Sequence, residues 1–323
     1  MLSTGCPGIV LCGRRRMGKS TVLRNLAGFL PGNVVPLVIS MQEAKAFSSL
    51  GLLVRHIGQT VQSRVEGGEV PEDLPALQSF LEACNTRLGS EGRRLLVALD
   101  EYELIDSKIG EGIFPVDLLC TLRESIQTHR CITWIFAGSH EITELRNAAW
   151  TSYLVSTRTI EVPPFSMAET RLLLTEPLKF SSLWPKDSPD RPGFALEFWG
   201  EGGIERIHQE AGGWPHLVQL IAETVIDLVN DEETDRLTPS LLARALDKSV
   251  ISGHTALYEL MHGECSLPGE WEYLAGFRTK DEQPPPEDEA VQASLRRRLL
   301  VAEENGRWRL RVPLMARWLR QRG

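Results

Sequence analysis

The sequence predicts an α/β protein: a parallel sheet with helices on both faces, followed by a helical lid and a C-terminal winged helix. Three observations carry this. Five short apolar runs alternate with helical patterns in the first half, the order of βα units that build a parallel sheet. The first run opens directly onto Gly13-Arg14-Arg15-Arg16-Met17-Gly18-Lys19-Ser20, which leads into a helix. Near the end, helical segments give way to two alternating strands around an Asn-Gly pair. The expected parts are residues 1–165 for the sheet, 166–250 for the lid and 251–323 for the winged helix.

Taken in order, Ile9 to Cys12 is a compact buried strand, and Thr21 to Leu30 carries Val22, Leu23, Leu26, Ala27, Phe29 and Leu30 at helical spacing until Pro31-Gly32 stops it. Strand, GxxxxGK[ST] and helix in that order form the phosphate-binding P-loop. The glycines let backbone N–H groups curl around phosphate oxygens at a helix N-terminus, whose dipole favours anions. The expected nucleotide-binding set is Gly13, Arg16, Met17, Gly18, Lys19, Ser20 and Thr21. Within it, Lys19 reaches the β- and γ-phosphates and the Ser20 hydroxyl ligates Mg²⁺.

Val34 to Ser40 is a second strand, with Pro36 weakening its start. Helices follow over Phe47 to Val65 and Leu74 to Leu88. Leu95-Leu96-Val97-Ala98-Leu99 then ends in Asp100-Glu101, the form of a Walker B strand. An aspartate there holds Mg²⁺, and the adjacent glutamate is placed to polarise the attacking water as general base. Tyr102, Glu103 and Asp106 read as surface or supporting residues. After a helix within Phe114 to His129, the strand Cys131 to Ala137 runs into Gly138-Ser139-His140. Ser139 has two readings that stay open: a γ-phosphate sensor at the strand tip, or the N-cap of a helix over Glu141 to Leu145. Thr159 to Val162 is the fifth strand, and Ser166 with Glu169 spells a capping box.

The second half reads as a Ser/Pro/Asp/Gly-rich loop over Phe180 to Gly203, then helices over Ile204 to Ala211 and Leu217 to Val229 joined through Gly212-Gly213-Trp214-Pro215-His216. Thr238-Pro239 opens another helix, Ser240 to Leu246. Short helices over Tyr258 to Met261 and Trp271 to Phe277 precede an acidic, proline-rich loop over Thr279 to Glu289. A helix over Ala290 to Leu300, a hairpin turning at Asn305-Gly306 and a closing helix over Pro313 to Leu319 follow, the order of a winged helix.

With these parts in place the sequence resembles STAND-type NTPases, the signal-transduction ATPases related to AAA+ and origin-recognition proteins. It looks most like bacterial conflict-system members with a GRRRxGK P-loop. The resemblance rests on GRRRMGKST at 13–21, LLVALDE at 95–101, FAGSHE at 136–141, GGWP at 212–215 and a C-terminal wing ending LRVPLMARWL. It implies binding of ATP or ADP with Mg²⁺ through Ser20 and Asp100, and catalysis by Lys19, Glu101 and Ser139. It also implies that Pro215 packs on the nucleotide from the lid; a tight interhelical turn is the other account of that stretch. Two departures stand out. Many members carry an arginine at the strand tip where this chain reads Ala-Gly-Ser-His, and relatives have a segment before the P-loop strand that helps hold adenine. The second departure leads us to expect a truncated start or one module of a longer polypeptide.

The expected function is thus a nucleotide-controlled switch with a protein partner or effector, assembling with itself on activation. Its rivals are a DNA-acting ATPase and a scaffold that keeps nucleotide without hydrolysis. Nine arginines against two glutamates over residues 290–323 speak for DNA; a net charge of −8 and the acidic loop speak for weak or absent binding. No stretch approaches the ~20 apolar residues of a membrane span. The six scattered cysteines suit free thiols in a reducing cytoplasm, and the seven histidines show no metal-ligand spacing.

Overall fold

A computed structural model describes residues 8–322 other than 155, 182–183, 186–187 and 189. Cys6 and part of the expected 180–203 loop therefore lie outside the described residues. The chain divides into two compact units, Met1–Pro163 and Pro164–Gly323.

The first unit is built on five parallel strands: β1 (Gly8–Cys12), β2 (Val34–Ser40), β3 (Arg94–Asp100), β4 (Ile132–Gly138) and β5 (Arg158–Glu161). Their order across the sheet is β2-β3-β4-β1-β5. β4 is thus inserted between the strand that leads into the P-loop and the strand that ends at Asp100, with Cys12 opposite Gly138 and Asp100 opposite Ala137. Pro36 is tolerated because β2 is an edge strand and needs partners on one side only.

Alternation along the strands divides the core. Val10, Leu37, Ile39, Val97, Leu99, Trp134 and Phe136 face a large cluster. It is closed by α3 (Leu50–Gln62), α4 (Leu74–Ser90), α5 (Glu103–Gly110), α6 (Asp117–Thr128) and α7 (Ala149–Tyr153). Leu11, Leu96, Ala98, Ile135 and Ala137 face the opposite way, against Leu23 of α1 (Lys19–Asn25). Helices cover both faces, as expected, but unequally.

Two helices differ from the sequence pattern. The expected helix over 21–30 is α1 followed by a 3₁₀ turn, Leu26–Gly28, which tightens the last turn so that Leu26 and Leu30 still reach the sheet. The expected helix from Phe47 to Val65 starts later, as α3, and a separate short helix, α2 (Ala44–Phe47), ends at its expected start. The cause is Ser49, whose hydroxyl accepts the Leu52 N–H and so caps a new helix.

Of the two readings of the residues after β3, the structure gives Tyr102 and Asp106 the supporting one: both are buried. Tyr102, Phe136 and Trp150 meet edge-to-face with ring centroids 5.4–6.1 Å apart. Asp106 accepts hydrogen bonds from the Arg146 and Asn147 N–H groups (2.9 and 3.1 Å) and from Trp150 Nε1 (3.0 Å). It ties α5 to the segment after β4. Asp106→Ala removes the partner of three donors, of which the Trp150 Nε1–H is buried, so we expect it to lower stability by about 2 kcal/mol, measured by denaturant unfolding with an unchanged m-value.

The second unit begins with α8 (Met167–Thr175), whose Ser166–Glu169 capping box forms as the sequence predicts. Then come α9 (Gly203–Ala211), α10 (Pro215–Asp231) and α11 (Pro239–Ser252), the last capped by Thr238. α12 (His254–Tyr258), a π-helical turn Glu259–Gly263 and α13 (Glu270–Ala275) lead to α14 (Glu289–Arg297). The antiparallel hairpin β6 (Val301–Glu304) and β7 (Arg307–Leu310) precedes α15 (Pro313–Gln321). Asn305 and Gly306 both have positive φ, as the two-residue hairpin turn requires. The acidic loop is not purely loop: Gln283 bridges Trp308 on the free edge of β7 and is buried.

Trp308 and Trp318 are buried. Of the nine arginines over 290–323, six have carboxylate partners within this unit. Arg298 is buried beside Glu270, and its guanidinium donates to the Leu260 and Met261 carbonyls. Arg296 pairs with Glu303 while lying over the Trp308 ring. The local excess of positive charge read from the sequence is largely neutralised in place. No helix among the described residues is long and apolar enough to cross a membrane.

Candidate functional site

The sheet order brings three loops together at the strands' C-terminal edge. The P-loop follows β1, Asp100-Glu101 ends β3, and Ser139-His140 follows β4 between them. This is where open parallel sheets bind ligands.

In the P-loop, Gly18 stands at the N-cap of α1 with φ +89, a conformation that costs glycine nothing, and Arg16 is left-handed as well (φ +64). The Met17 N–H donates to the Arg14 carbonyl at 3.3 Å while its side chain is buried, pinning the middle of the loop. Lys19 is buried in the first turn of α1, and its Nζ donates to the Gly13 and Arg14 carbonyls at 2.7 and 3.0 Å. The ammonium therefore lies within the curl of the loop. Ser20 and Thr21 follow it in the same turn.

Asp100 shares its side of β3 with Leu96 and Ala98, the side on which Leu23 of α1 packs. It is buried, and its Oδ1 has no hydrogen-bond partner. A carboxylate oxygen left bare on the P-loop side is a donor atom suited to a hard cation. With the Ser20 hydroxyl it supplies oxygen ligands that fit Mg²⁺. The ion would neutralise phosphate charge.

Glu101 is one of the few non-glycine residues with positive φ (+60), so the chain turns sharply after β3. Its Oε2 accepts from Gln42 Nε2 at 2.5 Å, joining it to the segment just beyond β2. Burial raises its carboxyl above the ordinary range, the Gln42 hydrogen bond opposes this, and the Glu103 and Asp100 charges add to it. A raised carboxylate held in place has the properties of a general base.

Ser139 does not cap a helix. The turn over 141–145 is a 3₁₀ turn, Ile142–Glu144, whose cap is Glu141 in a capping box with Glu144. The Ser139 N–H and Oγ–H instead both donate to Glu103 Oε1, at 3.0 and 2.8 Å. Its carbonyl accepts from Arg14 Nη1 at 3.5 Å, linking the β4 tip to the P-loop. Burial raises the Glu103 carboxyl, but the nearby His140 imidazole and the hydrogen bonds from Ser139 and the backbone outweigh it and hold it at about 2.

Residues 3–145 match the model of a family described as an AAA domain. The fold is that of a P-loop ATPase. Among solved structures, the chain is similar to the Walker-type ATPase paby2304 of Pyrococcus abyssi, with 17% identity and a TM-score of 0.61, over 97% of this chain and 91% of that one. It is also similar to the Aeropyrum pernix ORC2 protein, solved as ADPNP–ADP complexes, with 16% identity and a TM-score of 0.50, over 97% and 86% of the two chains. No curated protein sequence matches it.

In this P-loop ATPase fold the sequence pattern located Lys19, Ser20, Asp100, Glu101 and Ser139 at one edge of the sheet. It missed Gln42, read Tyr102 and Glu103 as surface or supporting residues, and gave His140 no role of its own. Glu103 had a signal of its own, an acid two residues past the Asp-Glu pair. Gln42 had none, because nothing local says that β2 neighbours β3.

Pro215 belongs to the second unit. Gly212 and Gly213 are left-handed, Trp214 caps α10, and Pro215 is its first residue. The Gly213 carbonyl accepts the Phe165 N–H at 2.7 Å, so a built turn holds Pro215 at the start of its helix.

Proposed function

We propose that the chain is an ATP-binding, slowly hydrolysing switch of the STAND type. The observation that carries this is the convergence of Lys19, Asp100 and Glu101 on one edge of the sheet, with Glu101 already engaged by Gln42. The P-loop holds the phosphates, Ser20 and Asp100 hold Mg²⁺, and Glu101 takes a proton from the attacking water. The Gln42 hydrogen bond occupies one oxygen of this base and opposes the rise in its pKa, which suits slow turnover. Helices of residues 166–250 serve as lid, with Pro215 against the nucleotide, and residues 251–323 serve as winged helix. ATP in place of ADP shifts the arrangement of these parts only if the γ-phosphate contacts them differently in the two states. The partners are a protein effector and further copies of the chain.

An ATPase acting on DNA is the second reading, and the likeness to the ORC2 protein supports it as much as the first. Against it, the arginines that would meet phosphates are taken up by Glu303, Glu304, Glu282, Asp247 and Asp281. A phosphate contact through any of these five arginines would compete with such a pair. ATP turnover and duplex DNA binding, measured together at low and physiological salt, test the two readings. We expect slow turnover that DNA leaves unchanged. DNA-stimulated turnover, or sub-micromolar binding that survives physiological salt, would favour the second reading.

A further inference from the structure

At the tip of β4, one carboxylate organises two side chains. Glu103 Oε1 accepts both the N–H and the hydroxyl of Ser139. His140 Nδ1 lies 3.1 Å from Ser139 Oγ and 3.9 Å from Glu103 Oε1, and its carbonyl accepts the Tyr102 hydroxyl at 2.9 Å. The carboxylate sits this close to the strand only because residue 138 is glycine: a Cβ there would stand 2.1 Å from Glu103 Oε2 and 2.7 Å from the Tyr102 ring. Backbone and side chains of the tip are both held.

A serine hydroxyl has one proton. Spent on Glu103, it is not offered to a phosphate oxygen, and what remains on Ser139 Oγ is lone pairs. An anion gains nothing from those. The adjacent imidazole is different. Its Nδ1 side faces Ser139 and Glu103, half of its side-chain surface is open, and when protonated it donates from both nitrogens. The same tip touches the P-loop through Arg14 Nη1 and the Ser139 carbonyl.

Resting on the nucleotide-binding reading above, we propose that Glu103 is a positioning residue that fixes Ser139 as an acceptor and presents His140 as the cation that distinguishes ATP from ADP. Preference for ATP is then a function of pH. The groups that face His140 agree on the direction. The Glu103 carboxylate 3.9 Å away raises the imidazole above the ordinary histidine range, partial burial opposes, the Glu144 charge adds, and Arg14 of the P-loop opposes. A raised histidine keeps its charge below its folded-state pKa and loses it as pH rises through that value, so the preference is present at low pH and disappears on the alkaline side.

The test is ATP and ADP affinity of the full chain with Mg²⁺, by isothermal titration between about pH 6 and about pH 9. The ratio of the two affinities in the wild type is expected to fall roughly tenfold across the range, the scale of one charge-assisted hydrogen bond. His140→Ala removes the fall and reports the ligands' own titration. His140→Arg, a cation at every pH, keeps the preference throughout. Glu103→Gln retains His140 but not its carboxylate, and moves the fall to lower pH; a purely structural role for Glu103 would not shift the profile. A wild-type ratio that is flat with pH, or that matches His140→Ala, would overturn the inference, as would loss of preference in Ser139→Ala but not in His140→Ala. These arms need no folded Glu103 variant. Failure of the wild type to bind either nucleotide would overturn the nucleotide-binding reading itself.

Discussion

Lys19→Ala is expected to abolish ATP·Mg²⁺ binding, weakening it by roughly a hundredfold or more, while the chain stays folded. The Lys19 ammonium lies in the curl of the P-loop, held there on the Gly13 and Arg14 carbonyls. Without it those carbonyl dipoles face the phosphates uncompensated. The fold should tolerate the change because Lys19 sits in a helical turn, where alanine is the best helix former. Isothermal titration with ATP·Mg²⁺, beside a thermal melt of the same preparation, decides it. Unchanged affinity would remove the phosphate site from this loop.

Glu101→Gln is expected to retain ATP binding and lose hydrolysis by roughly a hundredfold or more. Glutamine has the shape to stay near Gln42 but cannot accept a proton from water. Single-turnover kinetics with prebound ATP separate this from a binding defect. The neighbouring Glu103 is a poor substitute base: its Oε1 accepts two hydrogen bonds from Ser139, and its carboxyl is held at about 2. Full activity in the Glu101 variant would therefore remove Glu101 from the chemistry.

The likeness to known folds extends over nearly the whole chain at low identity, so the architecture is shared where side chains are not. The side-chain contacts that tie the site together are concentrated where β2, β3 and β4 end. Gln42, Glu103 and His140 each meet a neighbour from another strand's loop that is far away in sequence: Glu101, Ser139 and the Tyr102 hydroxyl.

Some of the protein was legible from residues alone. A Gly-x-x-x-x-Gly-Lys-Ser spacing between an apolar strand and a helix is local chemistry, and so is Asp-Glu at the end of a buried run; both stand where the pattern put them. The Asn-Gly hairpin turn and the Ser166–Glu169 box are local in the same sense, because a few consecutive dihedrals and one side chain decide them. The break between α2 and α3 was also locally encoded, in Ser49, but helical periodicity on both sides hid it. The tertiary structure decided the rest. Period-two alternation says which residues share a face of a strand but not which strand lies beside it, so the placement of β4 between β1 and β3 could not be read. That placement turns Ser139 from a helix cap into a partner of Glu103. Charge was the other blind spot: nine arginines look like a basic patch in sequence, and only packing put carboxylates from 247, 270, 281 and 282 against four of them. Coulomb energy depends on distance in space, and the chain sets that distance only by folding.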